Sequence, residues 1–233
     1  MKPLPVLASA FLLAGGLLAD DSQELVAGEA LASRLRSIRP DQAMTNHAIL
    51  KIRGTDGRRQ VPVTVVTRPV DEAGWEVRYE AAPAGGGTES LSIRHATNAP
   101  PRFDARKGTE KVPAQAGFAG SDFAAADLGL EFLHWPRQRL LRRELSNGRM
   151  CDVLESRPDG EPPAGYAAVR SWVDAAQGVI LSAEAYDARM VRVKQFSVTN
   201  FREVGDQWTF SLSIVDDRRG TKTELSYEAA PRP

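Results

Sequence analysis

Cysteine is almost absent from the sequence, since Cys151 is the only one among 233 residues. A single cysteine excludes an internal disulfide, and its position far from the N-terminus excludes an acylated cysteine directly after a leader segment. Cys151 lies in a segment of alternating polarity, where a lone cysteine is typically a small apolar filler of the core. A nucleophilic role needs an activating partner, and no histidine lies near Cys151 in the sequence.

An excess of charge of one sign is also absent. The chain has 30 Lys and Arg residues against 30 Asp and Glu residues, with an isoelectric point near 6.9. It therefore has no net field that would attract nucleic acid, and we expect no nucleic-acid partner. Hydrophobic residues at 42% and charged residues at 26% are typical of a folded globular protein. Any function must come from a particular site or surface.

Signatures of catalysis and metal binding are missing too. The three histidines, His47, His95 and His134, stand singly and lack the spacing of metal ligands. The sequence contains no Gly-x-Ser-x-Gly nucleophile elbow and no phosphate-binding glycine loop. Asp127 and Glu131 lie four residues apart, but like charges near the start of a helix are usually solvated. We therefore expect no catalytic residue, no metal and no cofactor, and hence no enzyme.

Long apolar runs are confined to the N-terminus. Residues 4–18 are apolar or small, follow Lys2, and are closed by Asp20 and Asp21, which is the layout of a secretory signal with cleavage after Ala19. An uncleaved anchor is the alternative, although a membrane span needs about 20 apolar residues. The prediction is a signal peptide over residues 1–19 and a single domain over residues 20–233, exported as a soluble chain without a lipid anchor.

The first element after this segment is predicted to be a helix over Ser22–Ile38. Asp21 or Ser22 can cap it, and Pro40 ends it. An apolar stripe on one side of the helix predicts that it packs against the rest of the domain; the stripe contains Leu25, Ala32, Leu35 and Ile38.

Alternation of apolar and polar residues with period two dominates the remaining sequence and predicts about eleven antiparallel strands joined by tight turns. The alternating segments are residues 47–53, 60–68, 75–81, 89–95, 139–145, 148–156, 166–174, 179–187, 189–201, 207–215 and 221–229. Residues 96–121 are rich in Pro, Gly and Ala and are predicted to be a long surface loop. The fold class is mainly β: one open, unclosed antiparallel β-barrel with short helices over its concave face.

Bulky apolar residues share one face of these strands and are predicted to line the concavity. That concavity is either a packed core or an apolar ligand cavity, since a curled sheet allows both. The predicted lining residues are Trp75, Val77, Tyr79, Leu91, Ile93, Trp172, Phe196, Val198, Trp208, Phe210 and Leu212.

Several segments together resemble a known family. They are GSDFAAADLGLEF at residues 120–132, RRELSNGRMCDVLESRP at 142–158, VRSWVD at 169–174, the run from AEAYD to DQW at 183–208, and GTKTELSYE at 220–228. The chain resembles, from about Ser22 onward, the LolA-like family of periplasmic carriers that sort outer-membrane lipoproteins, and within it the broader branch whose cargo is unassigned. The resemblance implies an unclosed antiparallel β-barrel with a hydrophobic interior capped by helices, and it supplies no catalytic residues.

The resemblance also implies a location and partners. It predicts a periplasmic protein whose cargo is a lipid acyl chain or a lipoprotein, with an inner-membrane transporter as donor and an outer-membrane protein as acceptor. The alternative is a non-catalytic envelope protein whose concave face is filled and which binds a protein partner through a sheet edge.

The segment Gly120–Leu133 is the predicted lid over the mouth of the sheet, with a helix over residues 123–133. Ser121 or Asp122 is the expected N-cap. The residues expected to form the lid are Ser121, Asp122, Phe123, Asp127, Leu128 and Phe132. A lid that opens and a helix that permanently plugs the core have the same sequence requirements, so both remain open at this point.

A basic cluster follows the lid and contains Arg137, Arg139, Arg142 and Arg143. Two interpretations fit these residues. They form either a contact surface for anionic lipid headgroups or a strand edge that is protected by charge.

Overall fold

The structure is a computed structural model that describes residues 15–55, 57–72, 74–83, 86–113, 115–160, 165–204 and 207–228, with backbone alone for 15–20, 201–204 and 207–209. One long helix precedes a sheet of 13 antiparallel strands. The elements are α1 (Gly15–Arg36), β1 (Met44–Gly54), β2 (Gly57–Pro69), β3 (Gly74–Ala81), β4 (Glu89–Ala96), β5 (Ala99–Lys107), β6 (Glu110–Lys111), α2 (Ala125–Leu128), β7 (Arg137–Ser146), β8 (Arg149–Arg157), β9 (Ala168–Asp174), β10 (Ile180–Tyr186), β11 (Arg192–Val204), β12 (Gln207–Asp216) and β13 (Thr221–Tyr227).

Strand order explains why a helical segment interrupts so many strands. The order is β6-β5-β4-β3-β2-β1-β13-β12-β11-β10-β9-β8-β7, so β6 and β7 are consecutive in the chain but form opposite edges of the sheet. The connection between them must therefore cross one face. We call this crossing connection, residues 117–135, the lid segment; it contains α2 and two short 3-10 turns, Phe118–Gly120 and Glu131–His134.

All eleven predicted strands are present, and two further strands lie in the region predicted to be a loop. β5 pairs with β4 along its length, whereas β6 is only two residues long. Pro100 and Pro101 obscure the alternation of β5 in the sequence. They are tolerated because β5 is close to the sheet edge, where a missing N–H removes few ladder hydrogen bonds.

The sheet has an inner face, covered by α1 and the lid segment, and an outer face. One buried cluster on the inner face joins Leu50, Val63 and Ile93 to Phe118 and Phe123 of the lid segment. A second cluster covers β8, β9 and β10 with residues of α1 and of the rear of the lid segment; it includes Leu31, Leu35, Phe132, Leu133, Leu154, Val169 and Val173. Phe196 packs against both clusters, so the two are continuous.

The predicted stripe of α1 is right at its centre and wrong at its ends. Ala32 and Leu35 are buried, but Leu25 is 43% and Ile38 is 54% exposed. The helix meets the β7 edge most closely at Gly28, where a Cβ atom would lie 2.4 Å from the Gln138 carbonyl oxygen. Leu25 borders an open hollow that residues of β7 and β8 also line, and Ile38 follows the end of the helix at Arg36, so both ends of the stripe remain exposed.

The predicted signal peptide is only partly within the described residues. Residues 1–14 lie outside them, and α1 starts at Gly15, before the predicted cleavage site. The boundary at Ala19 therefore stays a prediction. Among the described residues, no helix combines the length and the apolar character needed to cross a lipid bilayer.

Candidate functional site

A hollow of about 200 Å³ lies between the lid segment and the inner face. Phe196, Val198 and Leu212 line it from the sheet, as predicted for the concave face. The lid segment contributes Phe123, Asp127, Leu128, Leu130 and Phe132, and β10 contributes Ile180, Leu181, Ser182 and Ala183. The hollow is therefore bounded by residues of both the sheet and the predicted lid.

A second hollow of about 370 Å³ adjoins the first. Both are lined by Ile180, Leu181 and Val198, so they meet at these residues. The second hollow also contains Phe210 and ends at polar side chains from the β7–β8 and β9–β10 turns: Asn147, Arg149 and Gln177. Its volume falls within the about 300–1,000 Å³ of small-molecule sites.

The other half of the inner face is packed solid. Tyr79, Leu91 and Ile93 are buried in the first cluster, and Val77 packs against it. Trp75 stacks on His95, with ring centroids 4.7 Å apart. The concavity is therefore filled over β3 and β4 and hollow over β10, β11 and β12, so each of the two interpretations drawn from the sequence applies to a different half of the sheet.

Trp172 was expected on the inner face, and this placement is wrong. Val169 and Val173 belong to the buried cluster, whereas Trp172 takes the opposite parity and pairs with Val153 and Ser182. Its indole N–H donates to Glu144 Oε1 over 2.6 Å. A half-buried indole needs such an acceptor, which the apolar inner face does not offer. Trp208, also predicted to line the concavity, has its side chain outside the described residues.

The predicted helix over residues 123–133 is also wrong, because the chain breaks it into two short pieces. Leu130 has a φ of 50°, a left-handed conformation that ends α2 and starts the second 3-10 turn. The N-cap of α2 is Ala124, not Ser121 or Asp122. The Ala124 N–H donates to Asp127 Oδ2 over 2.9 Å, so an acid inside the helix supplies the capping acceptor.

Asp122 has a different role, which is to fasten the lid segment to the end of β13. Its carboxylate accepts hydrogen bonds from the hydroxyls of Thr221 at 2.6 Å and Thr223 at 2.9 Å. Arg219 forms an ion pair with the same carboxylate at 3.3 Å. The Asp122 N–H donates back to Thr223 Oγ1 at 3.1 Å. These four contacts fix the start of the lid segment on the sheet.

Asp127 fastens the middle of the lid segment. Its carboxylate accepts a charged hydrogen bond from Lys194 Nζ at 2.8 Å and another from the Tyr166 hydroxyl at 2.9 Å. The side chain of Asp127 is 1% exposed and that of Lys194 is 13% exposed. Burial and the neighbouring Asp127 carboxylate raise the pKa of Tyr166, so this phenol stays protonated and donates. Asp127 is thus a structural anchor and not half of an acid pair with Glu131.

The rear of the lid segment has a different chemistry. Burial and the proximity of His134 lower the pKa of His95 to about 4. Burial and the nearby Arg36 lower the pKa of His134 to about 4. Burial and the Asp127 carboxylate raise the pKa of Glu131. Both histidines are therefore neutral at pH 7. The rear of the lid segment is held by side chains that donate to its backbone carbonyls, Arg36 to Leu133 at 2.7 Å and Gln138 to Phe132 at 3.0 Å.

Sequence reasoning missed Lys194, Tyr166 and Thr223. Lys194 did carry a signal, because it has the same strand parity as Phe196 and Val198 and so points to the inner face. A lysine buried there requires a carboxylate partner, and Asp127 lies in an apolar segment predicted to cover that face. Tyr166 and Thr223 carried no comparable signal, since each is an ordinary residue of its strand region.

The basic cluster after the lid segment is neutralised residue by residue. Arg137 pairs with Asp159 at 3.3 Å, and Arg142 pairs with Glu144 at 2.7 Å. Arg143 pairs with Asp152, and Arg139 bridges to Asp21 and Glu24 of α1. Of the two interpretations of this cluster, the anionic-lipid surface is therefore not supported, because the local charge is balanced.

No group of three potential metal ligands occurs among the residues that the structure describes. Cys151 is buried and free, and burial raises the pKa of its thiol. A raised pKa disfavours the thiolate that a nucleophilic role would need.

Comparison with protein families assigns the chain to one of them. A family model described as an uncharacterized protein matches residues 103–231, which is more than half of the 233 residues. The chain belongs to this family. None of the curated proteins compared with the sequence matches it.

Solved structures identify the fold. A DUF1329 family protein from Desulfovibrio piger is 17% identical with a TM-score of 0.74, covering 88% of this chain and 91% of its own. A putative outer membrane lipoprotein-sorting protein domain from Vibrio parahaemolyticus is 18% identical with a TM-score of 0.72, covering 88% and 92%. A LolA superfamily protein from Nitrosomonas europaea is 16% identical with a TM-score of 0.61, covering 88% and 94%. The predicted LolA-like fold is thereby confirmed.

Proposed function

We propose that this protein is a periplasmic carrier that holds a lipid or lipoprotein acyl chain in the hollow beneath its lid segment, without catalysis. The observation that carries the proposal is the pair of adjoining hollows lined mainly by Phe, Leu, Ile and Val side chains. Apolar surface that stays unpacked is costly in a folded protein, and an alkyl chain would bury it. The likeness to a lipoprotein-sorting domain supports the same ligand class.

The polar end of the second hollow fits an amphiphile. An acyl chain lying along Val198 and Leu181 would place its head near Asn147, Arg149 and Gln177, at the end of the sheet where these turns are located. The donor and acceptor in this proposal are an inner-membrane transporter and an outer-membrane protein.

The test is the binding of a fluorescent fatty-acid probe and its displacement by unlabelled lipid. Val198→Asp should lower probe affinity at least about tenfold, because it places an unpaired charge in an apolar site. Thr199→Asp is the matched control, since it adds the same charge to the other face of the same strand. Val198→Trp fills the hollow without a charge and should also lower affinity.

Native mass spectrometry of protein purified from its own envelope should show co-purified lipid. If the probe binds Val198→Asp and Val198→Trp as tightly as the unaltered protein, with both variants folded, the hollow is not the site. If no lipid binds at all, the alternative of a filled protein that binds a partner through a sheet edge is favoured.

A further inference from the structure

Three cations lie side by side on the outer face of the sheet, opposite the hollows. Arg53 of β1 pairs directly with Arg58 of β2 on one side and with Lys222 of β13 on the other. All three side chains are exposed. Neighbouring strands are about 4.8 Å apart, so the three residues form a row about 10 Å long. We call it the cationic row.

The cationic row differs from the arginines elsewhere on the sheet, many of which have a carboxylate partner. Arg68 pairs with Glu76 at 2.6 Å, and Arg192 pairs with both Glu184 and Asp217. The buried Glu155 forms ion pairs with two arginines, Arg157 and Arg170. Within the described part of the chain, by contrast, no ion pair includes a residue of the cationic row.

The described carboxylates near the row already have other partners. Glu224, two residues along β13 from Lys222, accepts from Lys51 and from the Ser226 hydroxyl, and the charge of Lys222 also helps to lower the pKa of Glu224. Asp217 pairs with Arg192, and the buried Asp216 accepts from the backbone N–H groups of its own turn. Asp56, in the turn that joins β1 and β2, lies outside the described residues.

Such a row has a cost for the folded protein. Like charges directly opposite each other on neighbouring strands destabilise a sheet. Two other pairs of cations face each other in the sheet, Arg94 with Arg102 and Arg106 with Lys111. In each of these pairs, unlike in the cationic row, one arginine has an aspartate partner. An external anionic surface would supply a counter-charge to Arg53 and Arg58 and would add to that of Lys222, because the three residues lie on one face.

We propose that the cationic row binds an anionic lipid surface. The chain as a whole has equal numbers of acidic and basic residues, so the attraction is local. The row lies on the face opposite the hollows, so a docked protein keeps its inner face free. This inference extends the proposed carrier function but rests on different residues, so either can fail alone.

The experiment is co-sedimentation of the full chain with vesicles of phosphatidylcholine containing phosphatidylglycerol, against vesicles of pure phosphatidylcholine. Each Lys or Arg near an anionic surface raises the membrane partition coefficient about fivefold. The triple variant with Arg53→Gln, Arg58→Gln and Lys222→Gln, called the row variant, should therefore bind the anionic vesicles about 100-fold more weakly. The matched control is Arg34→Gln with Arg39→Gln and Arg102→Gln, three exposed cations elsewhere, which should leave binding within about threefold. Added salt should weaken binding of the unaltered protein.

Folding is monitored alongside binding. Removing like charges that face each other should hold or raise the urea midpoint of the row variant. Equal losses in the row and control variants, equal binding to neutral vesicles, or row-dependent retention on heparin without vesicle binding would each overturn the proposal. Binding of the fatty-acid probe separates this proposal from the carrier proposal, because the row variant should still bind the probe. If the unaltered protein binds the probe but not the vesicles, only the vesicle proposal fails. If it binds the vesicles but not the probe, only the carrier proposal fails.

Discussion

The front and the rear of the lid segment are held in different ways. The front, residues 117–127, is fastened by two buried carboxylates, Asp122 and Asp127, which bond to strands distant in sequence. Arg59 adds to this by donating to the carbonyls of Ala119 and Gly120. The rear, residues 128–134, lies over the hollow, and Phe132 and Leu133 are buried among apolar side chains. Its polar contacts are made by backbone carbonyls: Arg36 donates to Leu133 and Gln138 donates to Phe132.

We infer from this difference which part of the lid segment would open in the proposed carrier. Breaking a buried, hydrogen-bonded ion pair leaves charges without solvent or partner, so the front should open only with global unfolding. Apolar contacts are lost gradually and are replaced when a ligand enters. The sequence left open whether the whole segment is a lid or a plug. The buried ion pair makes the front a plug, and a gate at the rear stays a prediction.

The largest expected effect comes from breaking the front. Asp127→Ala removes the partner of Lys194 and Tyr166 and leaves a buried, unpaired ammonium group, so the free energy of unfolding should fall by about 3–5 kcal/mol. Urea denaturation measures it. The control is Asp159→Ala, which removes the exposed partner of Arg137 and should cost less than about 1 kcal/mol. Similar losses in the two variants would mean that the front is not held by its ion pair.

An intermediate effect should appear in hydrogen exchange without any mutation. The N–H groups of Asp122 and Ala124 donate to buried side chains, whereas those of Leu130 and Leu133 donate within the short turns of the rear. The rear amides should exchange at least about tenfold faster than the front amides, which corresponds to a difference of about 1.4 kcal/mol in opening free energy. Exchange of the rear amides should slow when a fatty acid is bound. Uniform exchange across residues 118–134, unchanged by ligand, would remove the gate from the proposed function.

The smallest effect concerns pH. The pKa of His95 is about 4 in the folded protein against about 6.5 unfolded. Between these pH values the unfolded chain binds more protons than the folded protein. The contribution of neutral His95 to the free energy of unfolding is therefore fully present above pH 6.5 and is lost as the pH falls toward 4. Because burial is incomplete, the loss from pH 7 to pH 5 should be about 1–2 kcal/mol. His95→Gln should abolish this contribution, and His134→Gln should remove a similar amount, because the pKa of His134 is also lowered to about 4. An unchanged pH dependence in His95→Gln would contradict this assignment.

Much of the fold could be predicted because its signal is local. Alternation of period two identified eleven strands, and apolar spacing identified the centre of α1. The same parity placed Phe196, Val198 and Leu212 beside the hollow. It failed for Trp172, since β9 has apolar residues at adjacent positions 172 and 173 and only one of the two can face inward. Alternation was invisible in β5, where two prolines interrupt it.

The sequence by itself determined the strands, their inward-facing side chains and the apolar character of the concave face, because each depends on residues a few positions apart. Tertiary structure alone decided how the lid segment is held and where the sheet stays unfilled. Asp122 meets Thr221 and Thr223 about a hundred positions away, and Asp127 meets Lys194 across 67 positions. Those pairings follow from β6 and β7 forming opposite edges of one sheet, which forces the chain to cross its inner face. No local pattern encodes that crossing.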